Sequence, residues 1–353
     1  MRAKSLYIMN DEEFLQKHLF VADPKQGAMR LDKFLTDRIY KITRSRVQTA
    51  IKAGLVFVNG SDWVKANYKV RPGDRIEFMM PKAYDESVGI VPDDIPLDIH
   101  YEDEHLMVVY KPAGMVVHPG IGNYRRTLVN ALAFYFQDKK LPVMPGNPEN
   151  RPGLVHRIDK NTSGLILVGK TEQAIFGLAK QFQDHSIHRR YQAIVWGEPE
   201  EDEGTIKNWV GRHPRFRTKM TVLDSEKHAK WAVTHFKVLE RLYYVSLIEC
   251  RLETGRTHQI RVHMSNAGHP LFNDYKYGGD RVVKGTIFSK YKQFVENCFK
   301  IMPRHALHAK ELGFVHPATG KDMLFETELP KQMTDCLAKW RTYVADRKAK
   351  LTL

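Results

Sequence analysis

Residues 151–170, RPGLVHRIDKNTSGLILVGK, set a charged HRID and a polar NTSG turn directly ahead of a wholly apolar run. The run reads as a buried strand, and a loop at the edge of a buried strand is where a rigid scaffold presents reactive side chains. Strand-like runs recur between about residues 96 and 330, in HLMVVY, YQAIVWG, VSLIECRLE and DMLFETELP. Helix-like segments, TLVNALAFYF and EQAIFGLAKQFQ, lie among them in irregular order rather than in strict alternation. The expected fold class is therefore α+β, a mixed and largely antiparallel sheet with helices packed on it.

Residues 29–80 have a pattern of their own. Leu31, Phe34, Leu35 and Ile39 recur at helical spacing, and Thr43 caps a second helix through Arg46, Val47, Ala50 and Ile51 that stops at Gly54. LVFVNG is then a short strand ending in an Asn-Gly turn, and RPGDRIEF a turn followed by another strand. Lys and Arg outnumber acids here by eleven to five, and Arg30, Lys33, Arg44, Arg46 and Lys52 all fall on or beside the two helices. The expected division is an N-terminal extension (1–28), a small α/β domain (29–80), a Pro- and Gly-containing linker (81–95), a main domain (96–330) and a basic C-terminal helix or tail (331–353).

The formal charge of the 353-residue chain is 55 − 41 = +14, which attracts polyanions, nucleic acid first among them. An even solubility charge is the bland alternative, and clustering on the small domain argues against it. No apolar run approaches the ~18 residues of a membrane helix, and the opening MRAKSLYIMNDEEF is broken by acids too early for a signal peptide. Cys250, Cys298 and Cys336 lie far apart without a CxxC, which argues against a disulfide framework and a cysteine-built zinc site. The expectation is a cytoplasmic protein.

Four segments are candidates for chemistry. In HRIDKNTSG, Asp159 has the makings of a nucleophile or base with Arg157 beside it; alternatively it caps the turn at Thr162 and Ser163. In LETGRTHQIRVHMSNAGHP (252–270), strand alternation would put Arg256, His258, Ile260 and Val262 on one face and Thr257, Gln259, Arg261 and His263 on the other. An arginine on a buried strand needs an anion, and Arg261 paired with Asp159 would keep that carboxylate ionised; an ordinary structural ion pair is the alternative. Tyr191 opens a strand and could stack on a base or take a proton, or simply fill the core. In 204–220, Arg212, Arg215, Arg217 and Lys219 interleave with Trp209 and Phe216 as a phosphate-and-base contact surface would, or as a solvated hairpin.

The chain lacks GxxxxGK[ST], GxGxxG after a strand, HExxH and GxSxG, and its histidine pairs lack metal-site spacing. Neither a cofactor nor a metal is expected.

Together these segments resemble the RluA/RluD family of pseudouridine synthases over nearly the whole chain. KPAGMVVHPG (111–120), HRIDKNTSG (156–164), YQAIVWG (191–197), TGRTHQIRVHM (254–264) and RHALHAKELGFVHPATG (304–320) are similar to that family's motifs, in order. The unit at 29–80, with TRSRVQTAIKAGLVFVNG, resembles a small RNA-binding domain first known from a small-subunit ribosomal protein. The resemblance implies a cofactor-free isomerase converting uridine to pseudouridine in RNA, with large-subunit ribosomal RNA as substrate. A transfer-RNA enzyme and a non-catalytic ribosome-assembly factor are the alternatives. By position it implies Asp159 as nucleophile, Tyr191 as the active-site tyrosine, Arg261 as the aspartate's partner and Leu307 as an apolar contact. His156, Arg157 and Lys111 join the basic residues of 29–80 and 204–220 as expected RNA contacts. Ile158 replaces a more usual leucine, and Asn273 stands where glycine is common. A monomer is expected.

Overall fold

The computed structural model describes every residue except 1–14, 41, 63, 82–88, 121–122, 138–139, 145, 149–150, 217, 287 and 352–353. The chain divides into two units, Met1–Asp85 and Glu86–Leu353. Of the segment read as a linker, residues 82–88 lie outside the described residues.

The first unit comprises β1 (Leu15–Val21), β2 (Met29–Arg30), α1 (Leu31–Arg38), α2 (Arg44–Lys52), β3 (Val56–Val58), β4 (Lys69–Val70) and β5 (Arg75–Pro81). The two helices and the β3–β5 pairing follow the apolar spacing, and the Thr43 side chain accepts the Arg46 N–H at the start of α2. Leu31, Phe34, Leu35, Val47, Ile51, Val56, Ile76 and Phe78 close the core. One correction concerns the segment set apart as an extension. Its strand β1 pairs with β5 from Leu15–Pro81 to Val21–Arg75, so it completes the small sheet.

The second unit runs β6 (Asp98–Glu102), β7 (Leu106–Lys111), α3 (Leu128–Phe136), β8 (Ser163–Gly169), α4 (Glu172–Gln183), β9 (His188–Trp196), β10 (Glu203–Arg212), β11 (Met220–Leu223), β12 (Ala229–Arg241), β13 (Val245–Leu252), α5 (Gln259–Asn266), α6 (Ser289–Ile301), β14 (Leu307–Val315), β15 (Asp322–Glu326) and α7 (Lys331–Leu351). Its strands form one sheet in the order β11-β10-β12-β13-β9-β14-β8-β7-β6, with β15 on β14. Every described pairing in it is antiparallel except β14 with β8. At that parallel junction Gly164 has φ +119°, and a Cβ there would lie 2.1 Å from the Ala309 carbonyl oxygen, so only glycine fits.

Every residue of β8 is buried, as the apolar run demands. Helix α3 starts at Thr127, whose side chain exchanges hydrogen bonds with Asn130 in a capping box. The C-terminal segment is the docked helix α7. Met333, Cys336, Leu337 and Trp340 pack with Trp196, Phe272, Tyr291 and Val295.

The segment 252–270 departs from its strand reading. After β13 the chain turns through 253–258 and enters α5, which carries Arg261. Gln259 through Met264 are all buried, so polarity there carries neither a period of two nor one of 3.6.

Candidate active site

Asp159 lies in the loop that feeds β8, and the loop is held at three successive carbonyls. The Thr162 N–H donates to the Asp159 carbonyl (3.0 Å), the Gly114 N–H to that of Lys160 (2.8 Å), and Arg304 Nη1 to that of Asn161 (2.8 Å). Arg304 Nη2 also donates to Ser163 Oγ (3.1 Å), and Thr162 Oγ1 pairs with His305 Nε2 (3.0 Å). Lys111 Nζ donates to the carbonyls of Pro112, Met115 and Lys160. A loop so pinned offers its carboxylate at a fixed place, which is what preorganisation requires.

Arg261, on α5, reaches that carboxylate with Nη1 at 2.8 Å from Asp159 Oδ2. Its Nε and Nη2 form a fork on Asp274, at 2.7 and 2.9 Å, and Asp274 is wholly buried. The guanidinium also lies over the Tyr277 ring, 5.0 Å from its centre. Burial works against ionising Asp159, but the positive charge that His258, Arg261 and His305 carry in the acid range where the carboxyl titrates outweighs it and holds the carboxyl below its usual range. Of the three, Arg261 stays charged at neutral pH. Burial would also lower the Arg261 pKa, yet its two carboxylates raise it, so the guanidinium stays charged.

Asp159 and Arg261 line a cleft of about 450 Å³ together with Arg157, Arg189, Tyr191, Arg256, His258 and Leu307. Tyr191 comes from β9, where it pairs with Cys250 on one side and Ala309 on the other. Burial raises its phenol pKa, so it stays protonated at neutral pH. Leu307, at the start of β14, is buried in the same wall. Asp159, Tyr191, Arg261 and Leu307, from four separate segments, thus share one cavity with Arg157.

Several expected RNA contacts sit differently. Lys111 is fully buried and spends its ammonium on three carbonyls, so it presents nothing to RNA; burial and nearby Arg304 bring it down to about 7. His156 uses Nε2 to accept the Leu167 N–H (2.8 Å) and stacks on Phe182, so it belongs to the scaffold of the cleft. Arg30 and Arg44 both donate to buried Asp32, which Gln48 also meets, so Arg44 and Gln48 tie α2 to α1 while Arg30 braces the start of α1. Lys33, Arg46 and Lys52 are exposed. Arg212 and Arg215 are exposed and Lys219 is half-buried, at the turn joining β10 to β11; Arg217 lies outside the described residues.

Sequence reasoning missed Asp274, Arg189 and Tyr277. Asp274 sits in a loop without periodicity, and the only signal for it was that an arginine fork has more donors than one carboxylate oxygen uses. Arg189 is buried in the cleft wall with a single hydrogen bond, to the Glu253 carbonyl, and its Nε has no partner among the described residues. Asn273 explains itself: its φ is +57°, a conformation glycine adopts freely and asparagine tolerates, and its Nδ2 donates to the Met302 carbonyl at 2.6 Å.

The family model for RNA pseudouridylate synthases matches residues 105–266, and the S4 domain model matches 29–76. The chain is 43% identical over 320 residues to an uncharacterized RNA pseudouridine synthase of Chlorobaculum parvum, covering 90% of this chain and 95% of that one. It is 44% identical over 308 residues to a ribosomal large subunit pseudouridine synthase D of Zymomonas mobilis, covering 86% and 91%. Among solved structures, human RNA pseudouridylate synthase domain containing 4 shares the fold, with a TM-score of 0.51 at 22% identity over 69% of this chain and 92% of that one. The chain belongs to the RNA pseudouridine synthase family. Its activity is the isomerisation of uridine to pseudouridine in RNA, and its smaller unit is an S4 RNA-binding domain.

Proposed function

We propose that this enzyme modifies uridines of large-subunit ribosomal RNA, with Asp159 as the attacking carboxylate. The observation that carries the catalytic part is the single hydrogen bond among the described residues on that carboxylate, from Arg261 to Oδ2. It leaves Oδ1 free in the cleft while the guanidinium holds the group ionised. In the reaction the C1′–N1 bond breaks with its electron pair passing to the base, the base turns, and C5 joins C1′. The proton leaves C5 and ends on N1. No atom is gained or lost. Asp159 acts at the ribose, Tyr191 and Leu307 flank the detached base, and Arg261 keeps the carboxylate aimed.

The S4 domain and the names of relatives such as the Zymomonas mobilis and Nitrosomonas europaea large-subunit synthases support the ribosomal target. Exposed Lys33, Arg46 and Lys52 supply phosphate contacts on the S4 domain, and Arg212, Arg215 and Lys219 on the β10–β11 turn. Arg189, buried with no partner on its Nε among the described residues, would take a phosphate at the cleft. Extruding the target uridine costs a few kcal/mol, and aromatic stacking of ~1–3 kcal/mol offsets part of it.

Asp159→Asn is expected to bind RNA with wild-type affinity and form no pseudouridine; turnover at the wild-type rate refutes the assignment. Mapping pseudouridine in total RNA from matched strains with and without the gene tests the target. Sites lost from transfer RNA alone would refute the ribosomal reading.

A further inference from the structure

His258 occupies a strained place. Its φ is +57°, in the left-handed region that residues with a side chain seldom adopt and that gathers at functional sites. From the residue before α5 its ring enters the cleft, with Nε2 4.0 Å from Asp159 Oδ1. That is too long for a hydrogen bond, so the ring does not occupy the oxygen that Arg261 leaves free.

The other ring nitrogen is fixed. Nδ1 lies 2.7 Å from the Tyr277 hydroxyl, whose oxygen already accepts the Met220 N–H at 3.0 Å. Among the described residues that hydroxyl has no other acceptor, so its own hydrogen goes to Nδ1. The ring proton is therefore held on Nε2, the nitrogen facing the cleft. Burial, aided by Arg261 and Lys276, outweighs Asp159 and lowers the imidazole to about 4, so it is neutral at neutral pH. Burial pushes Tyr277 up to about 12 and keeps its hydroxyl protonated.

We propose that His258 is a further catalytic residue, whose Nε2–H donates a hydrogen bond to O2 of the target uracil as the glycosidic bond breaks. The proposal rests on the reading of Asp159 given above. When C1′–N1 cleaves, the electron pair on N1 is shared with O2, the carbonyl on the adjoining carbon, while O4 lies across the ring. A donor 4.0 Å from the oxygen that attacks C1′ is within reach of that carbonyl. A neutral imidazole with its proton locked on one nitrogen needs no rearrangement at that moment, the condition under which such donors are most effective. The proton stays on Nε2 throughout; the transfer from C5 to N1 is unaffected.

The test pairs a change in the protein with one in the RNA. Short RNA substrates carry uridine or 2-thiouridine at the target, sulfur being the poorer acceptor. His258→Asn keeps a residue that tolerates the left-handed backbone. We expect 2-thiouridine to slow wild-type kcat at least about tenfold, and His258→Asn to slow uridine turnover about 10²–10³-fold with KM little changed. His258→Asn should then show no further loss on 2-thiouridine. Losses that multiply, or a wild type indifferent to sulfur, overturn the proposal. If that variant fails to fold, Tyr277→Phe keeps the ring beneath Arg261 but removes the lock on the tautomer. The sulfur penalty must shrink there, and an undiminished one also overturns the proposal. Asp159→Asn on the same RNAs reports separately: its turnover would sink the nucleophile, whereas multiplying losses beside an inactive Asp159→Asn sink only the role of His258.

Discussion

Arg261 serves two carboxylates with one guanidinium. Two of its nitrogens are fixed on buried Asp274, and only Nη1 is left for Asp159. The fork thus behaves as a rigid bracket whose angle is set by Asp274. Asp274→Asn replaces one acceptor with an NH2 group that faces a donor, leaving the bracket loose and a buried cation short of a partner. Breaking a buried pair of this kind costs roughly 3–5 kcal/mol. A urea melt should show a loss of that order, and turnover should fall with it; a variant matching the wild type in both would mean that Asp274 does not hold Arg261. The Asp159–Arg261 pairing was legible from the sequence because a buried arginine demands an anion. Asp274 was not, since nothing local marks a loop aspartate as buried. Lys111 shows the converse: a charged residue in a motif reads as a surface contact, and only the three inward-facing carbonyls reveal otherwise.

At the level of elements, the site depends on the parallel contact between β8 and β14. The loop bearing Asp159 ends in β8, Leu307 opens β14, and Gly164 lets the two backbones meet. Gly164→Ala would drive a methyl into the Ala309 carbonyl and strain a backbone at φ +119°. The expected destabilisation is at least the ~1–3 kcal/mol of ordinary overpacking. Thermal melts check the stability and single-turnover assays the accompanying loss of activity; a neutral variant would show the junction to be slack. Most elements were readable because their apolar patterns were clean. Helix α5 was not. Its run is buried throughout and marks neither period, and tertiary packing made the choice. Strand β1 escaped notice because its partner β5 lies more than fifty residues away.

At the scale of the molecule, burial lowers six histidines among the described residues: His118, His258, His263 and His308 to about 4, and His156 and His305 to about 3. Unfolded, each titrates near ~6.5. Between the two values the unfolded chain binds more protons, so stability is full above ~6.5 and falls as pH drops toward 4. Each histidine contributes a slope on the order of 1.4 kcal/mol per pH unit in that window. The urea midpoint should therefore fall steeply between pH 7 and pH 5, and a flat profile would contradict the burial of these rings.

The order of the sheet has a consequence for synthesis. Strand β14 lies between β9 and β8, yet it is made after both. Until residues 307–315 have left the ribosome, the two halves of the sheet wait with facing edges unpaired, an open seam that invites stray strands. Strand β14 closes that seam when it emerges and brings Leu307 into the cleft wall, so the S4 domain, made far earlier, can fold while the catalytic sheet is still open.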